Sequence, residues 1–279
     1  MPKKIVLKIY GIALLATILM LLVFIFLNHY FDGSFWSGMK ISKSALTTEY
    51  CELNNTSMFF HQRMNTYSNL SYFFLGIIVL LVSLYDKKDK SGNKNLLQQF
   101  PLLSFFYGMS LVYLCIGSSF FHASLTWLGQ RVDMNGTYSI CIALLGISLY
   151  RAFSRRDSSI AFKRIMIVVL FFTVLLFVEL HLLISSIVLL PLIILLTTIF
   201  SSINYLRNKS QLHASFALLS LVLLIAACIL RVLDVEKVGC DPASFYQGHS
   251  VWHIFTGMSS FFLYWFYRSE RTIDLSSHT

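Results

Sequence analysis

The chain has 279 residues, of which 56% are hydrophobic and only 13% charged, and its mean hydropathy is +0.69. A soluble globule of this length lacks the polar side chains to cover such a surface, so the composition excludes one and points to the bilayer as solvent. The net charge of +9 would suit a nucleic-acid partner. However, the basic residues fall in short clusters between apolar runs of about 18–24 residues, the length that crosses a hydrocarbon core, so the charge reads as membrane topology.

In chain order the apolar runs occupy roughly 5–28, 66–85, 101–122, 133–150, 163–182, 184–204, 213–231 and 249–267, each bounded by charged or turn-forming residues. Backbone groups cannot go unpaired in lipid, and runs this long without alternating polarity exclude barrel strands, so an all-α integral membrane fold of eight helices is expected. The first run follows Lys3, Lys4 and Lys8 as a signal peptide would. It exceeds the about 7–15 apolar residues of a signal h-region and no clean small-residue cleavage motif follows it, so an uncleaved anchor is expected. With few Pro and Gly and no long polar linker, the expected organisation is an anchor helix over 1–30, an extracytoplasmic segment over 31–65 and a seven-helix core over 66–279.

With the N-terminus in the cytoplasm, Lys3, Lys4, Lys8, the loop with Lys87, Lys88, Lys90 and Lys94, the Arg151 to Arg164 loop, Arg207, Lys209, Arg268 and Arg271 all fall inside. These are sixteen of the twenty-two basic residues, and the positive-inside rule favours that orientation. Lys40, Lys43, Arg63, Arg131, Arg231 and Lys237 remain on the outer side. The same orientation puts His122 at the outer end of the third run, Asp133 at the outer start of the fourth, and His249 and His253 in the outer first turns of the eighth.

Two stretches carry the chemistry: Ser118-Ser-Phe-Phe-His122 and His249-Ser-Val-Trp-His253. Residues i and i+4 share a helix face, so His249 and His253 are placed to grip one metal ion, while Ser118 stands one turn from His122. Three imidazoles leave the fourth position of a tetrahedral zinc open for water, the arrangement of a catalytic site, and water bound there ionises near neutral pH. A lone interfacial histidine would pair with lipid or backbone. Three of them, with a serine and an aspartate at the same depth, favour a metal because intramembrane ionisable groups are costly.

The residues also carry a family resemblance. Gly117-Ser-Ser-Phe-Phe-His122-Ala-Ser-Leu-Thr, Gln130-Arg-Val-Asp133-Met and His249-Ser-Val-Trp-His253-Ile-Phe-Thr-Gly, with Glu49-Tyr-Cys-Glu52-Leu-Asn54 and Asn65-Thr-Tyr-Ser-Asn69 upstream, resemble the alkaline ceramidases. Their wider superfamily of seven-helix membrane hydrolases includes the adiponectin receptors. The resemblance covers about 49 to 268 and leaves out the first helix. It implies seven core helices, zinc on His122, His249 and His253, and hydrolysis of the ceramide amide to a sphingoid base and a fatty acid. It also implies that Asp133 orients or deprotonates the water on the zinc and that Ser118 hydrogen-bonds that water or the developing oxyanion. Position alone gives Asp133 a second use, as an N-cap at a helix start.

The same resemblance implies calcium held by Glu49, Glu52 and Asn54, hard oxygen donors that suit the ion. Where the family has a further Glu, this chain offers Gln62 or Arg63, and a cation there would oppose calcium or replace it. The other reading of these residues is a solvated acidic patch. Cys51 and Cys240 both fall on the expected outer side, where disulfides persist, and the resemblance suggests that they pair. Cys115, Cys141 and Cys228 lie in apolar runs and read as packing residues. Glu179 and His181 end a run on the outer side, where they line the site or, the favoured reading, meet headgroups, and Arg231 with Asp234 reads as an ion pair at a helix end.

The leading functional expectation is therefore a lipid amidase whose substrate, ceramide or a related N-acyl lipid, arrives sideways from the membrane. The alternative is a seven-helix receptor or lipid-binding protein with a structural zinc, which a fourth protein ligand would favour. A transporter fits least, because no ionisable residue sits near mid-span. The site is expected on the extracytoplasmic side: of the plasma membrane in a prokaryote, of the ER or Golgi in a eukaryote.

Overall fold

The computed structural model describes residues 1–89, 95–153 and 186–271. Among them the chain is helical and no β-strand occurs; two isolated bridges join Asp32 to Met58 and Ile41 to Thr126. The helices are α1 (Lys3–Tyr30), α2 (Lys43–Leu46), α3 (Arg63–Ser68), α4 (Leu70–Lys88), α5 (Leu96–Gln99), α6 (Pro101–Ser124), α7 (Trp127–Phe153), α8 (Ser186–Arg207), α9 (Ala214–Val235) and α10 (Gly248–Arg268), with a 3₁₀ turn at Gly33–Trp36. The expected run 163–182 with Glu179 and His181, the first residues of the next run, and Lys90, Lys94, Arg155, Arg156, Lys163 and Arg164 lie outside the described residues.

Six helical segments among the described residues are long and apolar enough to cross a membrane: α1, α3 with α4, α6, α7, α8 and α9. The chain is an all-α, multi-pass membrane protein. α10 matches them in length with 21 residues but is more polar, carrying His249, His253, Thr256, Ser259 and Ser260 along its course. In lipid such groups must find partners inside the bundle. Accordingly Ser260 accepts from the Tyr107 hydroxyl at 2.9 Å, and Ser259 donates to the Ser220 carbonyl of α9 at 2.8 Å.

Two helix starts differ from the expectation. The fourth run begins at Trp127, not Asp133. Leu125 ends α6 in the left-handed region at φ 52°, and the Thr126 hydroxyl accepts the Gly129 N–H at 3.1 Å, so Thr126 caps the new helix. Asp133 therefore lies well inside α7, and the N-cap reading of it falls. The second run begins at Arg63 as the short α3, which joins α4 at Asn69.

α6 is the central helix, packed between α4 and α7. It approaches α7 closely because Gly117 has no side chain: a Cβ there would lie 2.9 Å from the Val132 carbonyl oxygen. That approach sets Ser118 beside Asp133. At the opposite end of the bundle a buried ion pair, Arg268 to Asp86 at 2.7 Å, ties α10 to α4.

α1 packs along α4, and the segment after it folds back as a strap. Asn28 accepts the Phe60 N–H at 3.0 Å, the Trp36 indole donates to the Phe59 carbonyl at 2.8 Å, and Trp127 N donates to the Lys40 carbonyl at 2.7 Å. Residues 28–42 thus clamp both stretches, 56–60 and 125–127, that flank the end of α6. The rings of Phe24, Phe59, Phe60 and Trp36 fill the space between.

Candidate metal centre

His122 stands in the last turn of α6, and His249 and His253 in the first two turns of α10. The start of α10 is held by Asp234 at the end of α9. One carboxylate oxygen accepts the His249 N–H at 3.1 Å and the other the Cys51 N–H at 3.0 Å. The i to i+4 spacing then aims both α10 imidazoles at His122. All three are buried, and their candidate ligand atoms lie within 4.8 Å of one another. Ring centroids are 5.0 Å apart for His122 and His249, 5.1 Å for His122 and His253, and 4.5 Å for His249 and His253. Among the described residues this trio is the group of His, Cys, Asp and Glu that could hold a metal ion.

The surrounding hydrogen bonds fix which nitrogens are available. The Gln62 Oε1 atom accepts from Asn65 Nδ2 at 3.2 Å and lies 2.6 Å from His122 Nδ1. An amide oxygen only accepts, so His122 Nδ1 carries the proton and Nε2 keeps its lone pair. The Ser68 hydroxyl donates its single proton to the Asn65 carbonyl at 2.9 Å, so it accepts from His253 Nδ1 at 2.7 Å, and His253 Nε2 is likewise left with its lone pair. His122 Nε2 and His249 Nδ1 are buried without a hydrogen-bond partner among the described residues. Unpaired buried nitrogens are expensive in a protein interior. Three imidazoles with nitrogens turned toward a shared space, two of them anchored on the other side by Gln62 and Ser68 and the third stacked on Tyr50, fit a three-histidine zinc site.

Ser118 is buried at 1% exposure, and its hydroxyl faces Asp133. The Asp133 carboxyl lies next to it across the α6 and α7 contact. The structure thus brings together Ser118, His122, Asp133, His249 and His253, residues drawn from three helices.

Four residues at this site have no local sequence signal of their role. Tyr50 stacks its ring on His249 with centroids 3.8 Å apart and lies 5.5 Å from His122. Gln62 and Ser68 are the partners of the imidazoles, and Asp234 holds the α10 start. The one available hint for Tyr50 is its place beside Cys51, which is disulfide-bonded to Cys240. Arg231 does not pair with Asp234, whose oxygens are taken by backbone N–H groups; it reaches Glu49 at 3.2 Å instead.

The three residues expected around calcium are each turned to a protein donor. Besides facing Arg231, Glu49 accepts the Lys237 ammonium on its carbonyl at 3.0 Å. Glu52 accepts the Met64 and Asn65 N–H groups at 2.6 and 2.8 Å and so caps α3. Asn54 accepts from Gln62 Nε2 at 2.7 Å. A donor set so engaged does not fit calcium without an exchange of partners. Burial pushes the Glu52 carboxyl up to about 7, against the opposing pull of the Asn65 and Met64 N–H groups and of Arg63.

Below His253 an apolar cavity of about 530 Å³ runs between α7, α8, α9 and α10, from Tyr72, Thr137 and Thr256 to Tyr205 and Phe266. Tyr72 in its lining joins it to the histidine cluster, with its ring 6.0 Å from His253.

The family model described as Ceramidase matches residues 42–278. No curated protein matches the chain significantly.

Proposed function

The chain belongs to the ceramidase family, a family of hydrolases acting on amide bonds, and we propose that it is a zinc-dependent intramembrane lipid amidase. Its substrate is ceramide or a related N-acyl lipid, and its products are a free fatty acid and a sphingoid base or amine lipid. The observation that carries this reading is the convergence of three buried imidazoles, two of them anchored through their outer nitrogens by Gln62 and Ser68, beside a buried serine hydroxyl that faces a carboxyl.

In this reading His122, His249 and His253 would hold zinc, which when bound would supply Lewis acidity and lower the pKa of water to near neutral. Asp133 takes a proton from the attacking water as the new C–O bond forms. It returns a proton to the amide nitrogen as the C–N bond breaks, so the amine leaves neutral and the acid is released. Ser118 donates its hydroxyl proton in a hydrogen bond to the oxygen that gains charge during attack. Thr137 and Thr256 line the apolar cavity together with Tyr72, the residue that reaches His253, and in this reading they meet the polar head of the substrate while the cavity receives hydrocarbon and keeps water out. The anchor helix over 1–30 and the segment over 31–65 act as the brace of the 66–279 core. The site faces the extracytoplasmic side, as the distribution of Lys and Arg favours.

The test is fatty-acid release from a fluorescent ceramide by the purified full chain, with zinc content measured in parallel and His253→Ala as control. Release that tracks zinc and is absent from the variant supports the amidase. Stoichiometric zinc with no release from any N-acyl lipid would sink it and favour the receptor-like alternative.

A further inference from the structure

We propose that Gln62 performs in this chain the positioning task of a cation: its amide links Asn54 to the His122 imidazole, and the centre is organised without calcium. The role given to His122 rests on the zinc reading above; the cation-free linkage does not.

Gln62 is buried at 2% exposure and held from every side. Its backbone N–H donates to the His122 carbonyl at 2.9 Å, and its carbonyl accepts both the Thr66 N–H and the Thr66 hydroxyl, at 2.9 and 2.7 Å. The side chain then has one end for each neighbour. Oε1 receives His122 Nδ1 at 2.6 Å, and Nε2 donates to Asn54 Oδ1 at 2.7 Å. A hard cation between positions 54 and 62 would need oxygen lone pairs from both, but the group facing Asn54 is an N–H donor. The donor proton supplies the positive charge density that Asn54 Oδ1 faces.

The neighbouring acidic residues are satisfied in the same way. Both Glu52 oxygens cap α3, and the Glu49 carboxylate pairs with Arg231 while Lys237 donates to the Glu49 backbone carbonyl. Three cationic side chains, Arg63, Arg231 and Lys237, therefore stand around a region that resembles a calcium site. A carboxylate at position 62 reverses the situation. One oxygen would still accept from His122, but the other would face the Asn54 oxygen, acceptor against acceptor, and only a cation or a proton reconciles the two. Gln62 is thus a positioning residue acting through His122, and its identity decides whether a second metal is needed.

The experiment uses the full chain, stripped of metal and reloaded with one equivalent of zinc. Equilibrium dialysis with ⁴⁵Ca²⁺, across the micromolar to millimolar range in which protein calcium sites operate, is paired with zinc affinity from competition with a chromophoric chelator. We expect no stoichiometric calcium on the wild-type chain and no change in its zinc affinity on adding calcium. Gln62→Ala weakens zinc about 10–100-fold. Gln62→Glu binds calcium, and calcium restores its zinc affinity. Stoichiometric calcium on the wild-type chain overturns the proposal, as does a Gln62→Ala chain that keeps zinc within about twofold, well short of the loss expected for an outer partner. The wild-type dialysis decides the first point even if neither variant folds. Loss of the amidase reading alone would appear as no fatty-acid release with both metal results intact.

Discussion

The histidine cluster and the acidic segment just before α3 lie side by side and are built on opposite principles. In the cluster, buried nitrogens are left without partners and turned toward one another, at a cost that a metal ligand removes. In residues 49–62 the oxygens are turned outward to backbone N–H groups, to an amide and to arginine. The histidine cluster keeps nitrogens without partners, whereas Glu49, Glu52 and Asn54 already have protein partners. Side chains of metal-binding type therefore indicate a metal only where their lone pairs are left over.

The sharpest break of that comparison is His249→Ala. It should abolish zinc binding and lower fatty-acid release by about three orders of magnitude or more, since the metal accounts for several kcal/mol of barrier reduction. Retained stoichiometric zinc in that variant would refute the assignment. Asp133→Asn separates ligation from chemistry: zinc content should be unchanged while turnover falls about 10²-fold or more. An active Asp133→Asn enzyme would remove the carboxyl from the mechanism. Ser68→Ala takes away the acceptor of His253 Nδ1–H and should weaken zinc about tenfold in chelator competition. No change there would show that the imidazole needs no outer partner.

The smallest effect belongs to the acidic segment and is read in pH. The Glu52 carboxyl is raised from 4.5 to about 7 in the folded chain, so between these values the folded state binds more protons than the unfolded state. Stability should accordingly decline as pH rises through that window and level off above it. Glu52→Gln, followed by the thermal midpoint in detergent, should flatten the slope within the window. An unaltered slope would place the titration elsewhere.

Much of this molecule is legible along the chain because its causes are local or one-dimensional. Apolar length sets the spans, basic clusters favour the orientation, and the i to i+4 repeat of His249 and His253 sets one face of one helix. What escapes is whatever depends on partners distant in sequence. Asp133 follows a polar stretch and looks like a helix start, yet Thr126 caps α7 first and carries Asp133 inside. Arg231 and Asp234 are spaced to pair, but backbone N–H groups brought from Cys51 and His249 claim the carboxylate, and Arg231 turns to Glu49.

By itself, then, the sequence determined a membrane-embedded helical chain with three histidines and a serine at one end of their helices, since hydrophobic length and helical period are properties of single segments. Only the tertiary structure decided which lone pairs remain free. A hydrogen bond is a claim by one group on another, and the claims of Gln62, Ser68 and Asp234 on the histidines, with the stacking of Tyr50 on His249, exist only once α3, α6, α9 and α10 and the disulfide-linked segment have come together.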